Sequence, residues 1–507
     1  MMHASFRRVI EWTGCLFFLG GLAAVALGAE PLRVGMAEAD ITPPLGFPMA
    51  GYYHERLATG TKDPLKAKAV VFRGPESQAA LVVCDLTGIA VDLSTEVRRQ
   101  AAEKTGIPAA NIVVAATHSH TAPDYSKELY RFLAAKPDER ASSTDPRQAY
   151  IAQLIAGAVQ AIEQAHTAAR PAVLQSGASR QETPVAFNRR FVMRDGSVQT
   201  WRNFNDPAVV RAAGPIDPQV ALLAVRDAER DQPLGLLSNF ALHLDTLGGM
   251  EWSADYPFFI ERAVREALGP QSISLFGLGC CGDINHADPS RTERNKTDMI
   301  GNSLGATVRQ GLPQLKTVER PTLQVRSAVV QAPLQPVTEP EVRRAVELLA
   351  AAKNGTKLEF FDHVTAYKQV MLDQLQHQPP FVTAPEHLSW GLSHTWQGVG
   401  SALPLEVNVI TLGQDVAIVC LPGEVFVELG LAIKQASPFP NTLVIELSQC
   451  VETVYIPHRA AYAGGSYEVT NSTLQPGGGE MLVEAAVRLL REAAGATLQQ
   501  HAAPAAE

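Results

Sequence analysis

The segment IVVAATHSHTAP, residues 112–123, ends an apolar β-branched run in two histidines spaced i, i+2, His118 and His120. Side chains two apart in an extended segment point to one side, so both imidazoles can face one site. Other polar residues also stand after apolar strand-like runs: His243 after GLLSNFAL, Asp283 after SISLFGLGCCG, Glu424 after VAIVCLPG, and Tyr455 soon after LVIELSQC. Imidazole nitrogen and carboxylate oxygen are ordinary zinc ligands, and a catalytic zinc takes about three protein ligands and leaves a position for water. Such an ion lowers the pKa of water to near neutrality and polarises a carbonyl, which is hydrolytic chemistry. A calcium cage would require more carboxylates than these. Residue type alone leaves each position open. A histidine after a strand is also a hydrogen-bonded core or loop residue, Glu424 and Asp283 are also helix or turn caps, and Tyr455 is also a core or rim residue.

These residues need a platform. AALVVCDLTGIAV (79–91) reads as a buried strand, followed by the helix STEVRRQAAEKTGI with Ser94 as its cap. NIVVAAT is a strand, 148–165 a helix with apolar residues three and four apart, and PLGLLSNFALH a strand. The alternation continues through DYPFFIERAVREALG, SISLFGL and DMIGNSLGATVRQGL, and returns in VAIVCLP, GEVFVELGLAIKQA and NTLVIEL. Apolar strands separated by amphipathic helices predict an α/β class with a mixed, largely buried sheet flanked by helices. In such folds ligands bind beyond the carboxyl ends of the strands, where these polar residues stand. Residues 321–335 read as a β excursion. Residues 339–400 hold two polar helices and a Pro-rich connection, either an inserted subdomain or a flap beside the site, and 496–507 read as a frayed tail.

The chain has 507 residues, 46% hydrophobic and 19% charged, enough for a sizeable core, and its net charge is −9. With no Lys/Arg-rich run, nucleic acid is excluded as a partner, leaving a small-molecule or lipid-like substrate. Arg7 and Arg8, a Gly/Ala-diluted apolar stretch and the small residues Ala26–Ala29 predict a secretory signal peptide over 1–29 and hence a secreted or periplasmic protein. An uncleaved anchor would need about 20 strongly apolar residues. Cys84 and Cys420 lie in strand-like runs; Cys280 and Cys281 are adjacent, and Cys450 is a candidate partner for one of them.

The ordered set VGMAEADITPPLGFPMAGY (34–52), DPLKAKAVVF (63–72), ATHSHTAP (116–123), NFALH (239–243), CGDIN (281–285), LPGE (421–424) and VYIPHRAAYAGGSYE (454–468) resembles the neutral/alkaline, non-lysosomal ceramidase family. The resemblance covers most of residues 30–495. It implies an α/β zinc amidase domain that cleaves the N-acyl bond of ceramide, a lipid substrate, and peripheral contact with a membrane. Carried over, it implies one zinc per chain held by His118, His243, Glu424 and Tyr455, with His120 close by, either behind the ligands or on the substrate side. It also implies that Tyr467 contacts the developing oxyanion and that Arg189 of the Asn188–Arg189 pair helps hold the substrate oxygen; in the mechanism built on this set, His120 or Asp283 carries the proton to the leaving amine.

Two departures bear on the substrate. The family has a serine two residues after the Asp of its GD motif, where this chain has Asn285, which cannot act as a hydroxyl nucleophile. The sequence ends about 40 residues after Tyr467, leaving no room for the carboxyl-terminal β-sandwich of full-length ceramidases. Three readings therefore stand: a ceramidase-like amidase, a zinc hydrolase for another amide or ester such as a sugar or cell-wall derivative, and a non-catalytic binding protein on the same scaffold.

Overall fold

The Val-, Ile- and Ala-rich runs pair into two sheets in a computed structural model that describes Met1 and residues 31–383 and 394–501. The predicted signal peptide, part of the Pro-rich connection and residues 502–507 lie outside the described residues. In the large sheet the main strands are β1 (Arg33–Asp40), β2 (Lys66–Arg73), β3 (Gln78–Cys84), β4 (Ile112–Ala116), β5 (Arg170–Arg180), β6 (Gln219–Asp227), β7 (Pro233–Phe240) and β8 (Ile273–Leu278). Their order is β8-β7-β6-β5-β1-β2-β3-β4. The two outermost pairs, β3 with β4 and β7 with β8, are parallel and the rest antiparallel, so the sheet is mixed, as predicted. The strands preceding His118 and His243, β4 and β7, lie in opposite halves of it.

The second sheet, β9 (Leu323–Pro333), β10 (Ala402–Leu412), β11 (Val416–Cys420) and β12 (Asn441–Ile445), runs in that order. Val34, Phe72, Leu81 and Leu275 of the large sheet share one core with Ile410, Ile418, Leu443 and Ile445 of the small one. Each such side chain fully buried is worth about 1.5–3 kcal/mol. The other face of the large sheet is covered by helices α1 (Val91–Thr105), α2 (Ser126–Ala134), α3 (Pro146–Thr167), α4 (Pro257–Leu268) and α5 (Thr297–Gly311). The residues 339–400 contribute α6 (Glu339–Lys353) and α7 (Phe360–Gln376), which with α8 (Val427–Ala436) and α9 (Gly478–His501) cover the outer face of the small sheet. The described part of the predicted tail, 496–501, continues α9. The mixed sheet flanked by helices is as predicted; a buried apolar run does not say what covers it, so the second sheet packed on one face is a further element that the sequence leaves open.

Helix α1 begins three residues before the predicted cap. Ser94 lies in its first turn, and the Val91 N–H donates to Glu452 Oε1 at 2.9 Å, a tertiary partner that supplants a local cap. All five described cysteines, Cys84, Cys280, Cys281, Cys420 and Cys450, are buried and free, so no Cys450 disulfide forms. No helix among the described residues is long and apolar enough to cross a membrane.

A buried ion-pair group ties α4 to the large sheet. Glu261 accepts from Lys68 Nζ at 2.5 Å and Lys66 Nζ at 2.9 Å. Burial opposes its charge, but the two lysines hold its carboxyl down at about 2, below the ordinary 4.5. A depressed carboxylate stabilises the fold above its unfolded pKa and loses that contribution as pH falls through its folded value. Glu261→Gln is therefore expected to cost about 2–3 kcal/mol at pH 7, by leaving Lys68 buried beside less negative charge. Urea unfolding should show the gap between wild type and variant closing from about pH 4.5 down to 2; a gap unchanged by pH would contradict this.

Candidate metal centre

Four histidine and glutamate side chains arrive from distant parts of the chain. After β4 the backbone turns sharply: the Thr117 N–H donates to Cys84 O, the His118 N–H donates to Leu86 O at 2.8 Å, and His118 takes a φ of +76°. That left-handed conformation is costly for a non-glycine residue and is found at sites where the surrounding structure imposes it. His243 follows β7, and its ring is buried. Glu424 and Tyr455 are direct partners in two short parallel strands, Glu424–Val425 and Tyr455–Ile456. Gly423 makes that approach feasible: its φ is +63°, and a Cβ there would lie 2.0 Å from Thr453 Oγ1.

The imidazoles converge. His118 Nε2 lies 3.0 Å from His243 Nε2 and 3.3 Å from His120 Nε2, and Glu424 Oε2 lies 3.4 Å from both His118 Nε2 and His243 Nε2. On their far sides, His118 Nδ1 meets Thr87 O at 2.5 Å and His243 Nδ1 meets Cys281 O at 3.2 Å. A carbonyl only accepts, so each Nδ1 carries the proton and each Nε2 turns a lone pair inward. Two lone pairs 3.0 Å apart repel, and Glu424 Oε2, also electron-rich, is buried without a hydrogen-bond partner among the described residues. A cation among these atoms resolves both conflicts, and nitrogen with carboxylate oxygen is a donor set for zinc. His118, His120 and His243 form a group able to hold an ion. Burial, with Arg189 and His118 adding to it, drives the His243 pKa well below its ordinary value, so its ring is neutral and free to ligate.

The remaining predicted residues frame this cluster. His120 Nδ1 has no hydrogen-bond partner among the described residues and lies 3.8 Å from Asp245 Oδ1; burial lowers its pKa to about 4. Tyr455 is buried, and its hydroxyl accepts from Arg189 Nη2 at 3.1 Å. The other arm of that guanidinium, Nη1, points at His243 Nε2, 3.5 Å away. Arg189 is held by Glu468, whose Oε1 accepts from its Nε at 2.8 Å and whose Oε2 accepts from Arg190 Nη1 and Thr200 Oγ1. Tyr467 packs 5.5 Å from the Tyr455 ring, 4.7 Å from Trp201 and 5.6 Å from Phe360 at the start of α7. Burial keeps the Tyr467 hydroxyl protonated, and so a donor, at neutral pH.

Asp283 and Asn285 stand a step back. Asp283 accepts from the Val427 N–H at the start of α8 and from Asn188 Nδ2 at 2.7 Å, so both its oxygens are engaged in bracing the loop before Arg189. Burial raises its pKa to about 6. Asn285 pairs with Phe187 in a two-stranded ladder and lines, with Arg189 and Trp201, a cavity of about 210 Å³.

Glu468, Asp245, Tyr52 and Tyr53 are functional neighbours that sequence reading did not assign. Glu468 acts through a partner 279 positions away, which leaves no local signal. Tyr52 and Tyr53 follow Gly51, whose φ is +96° and where a Cβ would lie 2.7 Å from the His120 ring. A glycine before two tyrosines is the only trace of that close approach. The two tyrosines, His118, His120, Glu424, Tyr455 and Tyr467 line a narrow cavity of about 90 Å³.

Residues 32–251 match the family model described as neutral/alkaline non-lysosomal ceramidase, N-terminal. That stretch includes His118, His120, Arg189 and His243. No curated protein matches the chain. Among solved structures, neutral ceramidase from Pseudomonas aeruginosa shares the fold with a TM-score of 0.63 at 18% identity, over 91% of this chain and 75% of that one. A ceramidase complexed with C2 gives 0.64 at 18% identity, over 91% and 76%.

Proposed function

We propose, from the match of residues 32–251 to the N-terminal model of the neutral/alkaline non-lysosomal ceramidase family, a zinc-dependent amidohydrolase that cleaves the N-acyl bond of ceramide or a related N-acyl lipid. The observation that carries it is the inward convergence of His118 Nε2, His243 Nε2 and the unpartnered Glu424 Oε2. These three, with Tyr455, are the proposed ligands, and His120 Nε2 stands within reach of the same ion. When bound, zinc supplies a water of near-neutral pKa and a Lewis acid for the carbonyl.

The chain's own residues do the rest. Arg189 Nη1 and the Tyr467 hydroxyl are fixed donors for an oxygen that gains negative charge as the amide carbon becomes tetrahedral. Glu468 locks the guanidinium against rotation, so its geometry is set before substrate arrives. His120, neutral and with a free Nδ1, is the group proposed to take a proton on the substrate side and return it to the leaving amine. Asp283 holds Asn188 and hence the start of the Arg189 loop. We also propose export by the 1–29 leader, which predicts a mature amino terminus near residue 30 on Edman sequencing.

The test is hydrolysis of a fluorescent N-acylsphingosine by the purified protein, before and after chelation and with zinc restored. Chelator-sensitive, zinc-restored cleavage supports the reading, and zinc-loaded protein without cleavage rejects it. The polar lining of a neighbouring cavity of about 570 Å³, together with Asn285, favours a second reading, a hydrolase for a polar amide or ester such as a sugar or cell-wall derivative. Asn285→Ser separates the two. It is expected to raise N-acylsphingosine cleavage about tenfold if a hydroxyl there assists ceramide hydrolysis, and to change nothing if the native substrate is of the second kind.

A further inference from the structure

The narrow cavity beside the imidazoles does not end there. Tyr52, Tyr53 and Asp124 line both it and the larger cavity of about 570 Å³. The larger chamber is walled by the loop after Gly51, by α2, by the start of α3 and by the α6–α7 pair. Its aliphatic lining is sparse: Pro48, Met49, Leu349 and Ala352. An acyl chain buried there would strand charged side chains against hydrocarbon, which is unfavourable.

The charges are unbalanced. Lys127, Arg131, Arg147 and Lys353 face Glu55, Asp124 and Glu128. Glu128 is already taken by Arg131 at 3.0 Å and Arg147 at 3.6 Å. Neither Lys127 nor Lys353 makes an ion pair among the described residues, and one stands on each side of the chamber, Lys127 on α2 and Lys353 at the end of α6. Burial raises the Asp124 carboxyl to about 7, which reduces the negative charge at the junction further.

We infer that this chamber is a subsite for a negatively charged, hydrogen-bonding group of the substrate, a phosphate, sulfonate or carboxylate placed near the scissile amide, with Lys127 and Lys353 as its specificity-determining residues. The inference rests on the N-acyl amidase reading and narrows it: the chain acts on N-acyl amines with an anionic head in preference to neutral ceramide.

The experiment uses three probes with the same acyl chain and spacer: N-dodecanoyl ethanolamine, its phosphate monoester, and N-dodecanoyl ethylenediamine. Binding is measured by calorimetry, and hydrolysis alongside it, on the zinc-loaded wild type and on a Lys127→Gln/Lys353→Gln double variant. The wild type is expected to bind the phosphate monoester about tenfold more tightly than the neutral probe, as charge-assisted hydrogen bonds would give. The variant should lose that preference, and added salt should erode it in the wild type. Equal or tighter binding of the neutral or cationic probe, a preference that survives in the variant, or no binding of any probe would overturn the subsite. Preferential binding of the phosphate without cleavage of any probe would leave the subsite standing and reject the amidase reading alone.

Discussion

His243→Ala is expected to lose its zinc and to cut kcat/KM by a thousandfold or more. The ring sits at the centre of the cluster, 3.0 Å from His118 Nε2 and 3.4 Å from Glu424 Oε2, so its removal takes away one ligand and widens the gap among the others. A Lewis acid and a water of lowered pKa are together worth several kcal/mol of barrier, and about 1.4 kcal/mol is tenfold in rate. The loss should appear first in metal content, measured by plasma mass spectrometry, and then in turnover. Excess zinc should not restore activity fully, because the missing nitrogen lay inside a rigid, buried site. A variant that keeps both zinc and turnover would remove His243 from the mechanism.

Arg189→Met is expected to separate metal binding from catalysis. The variant should keep its zinc, since none of the proposed ligands is itself replaced, yet lose about 10²–10³ in kcat, the usual cost of one oxyanion donor. It should also lose about 3 kcal/mol of stability, because Glu468, fully buried, would keep only Arg190 and Thr200 as side-chain partners among the described residues. Arg189→Lys is expected to recover little, since a point charge cannot bond Glu468, Gly282 O and Tyr455 at once as the planar fork does. Single-turnover kinetics beside urea unfolding would check both halves. An unchanged kcat in a stably folded variant would confine Arg189 to a structural role.

The strands were readable because they are continuous apolar runs, and the helices because their apolar residues recur every three to four positions. What such runs cannot encode is their cover. Leu443 and Ile445 look alike whether they meet a helix or, as here, the core shared with the large sheet. The start of α1 was misplaced for a related reason: Glu452, 361 positions from Val91, supplies the cap that Ser94 would have supplied locally. In the site, the polar residues that end apolar strands were visible as a set, since strand ends share one edge of the fold. The residues that hold them were not, because Glu468 and Asp245 lack any spacing that marks them.

Anomalous diffraction at the zinc edge from crystals of the zinc-loaded protein tests the zinc site itself. A single strong peak per chain, enclosed by His118 Nε2, His243 Nε2 and Glu424 Oε2, is expected. No peak at that position, or a peak elsewhere in the chain with these three atoms uninvolved, would contradict it.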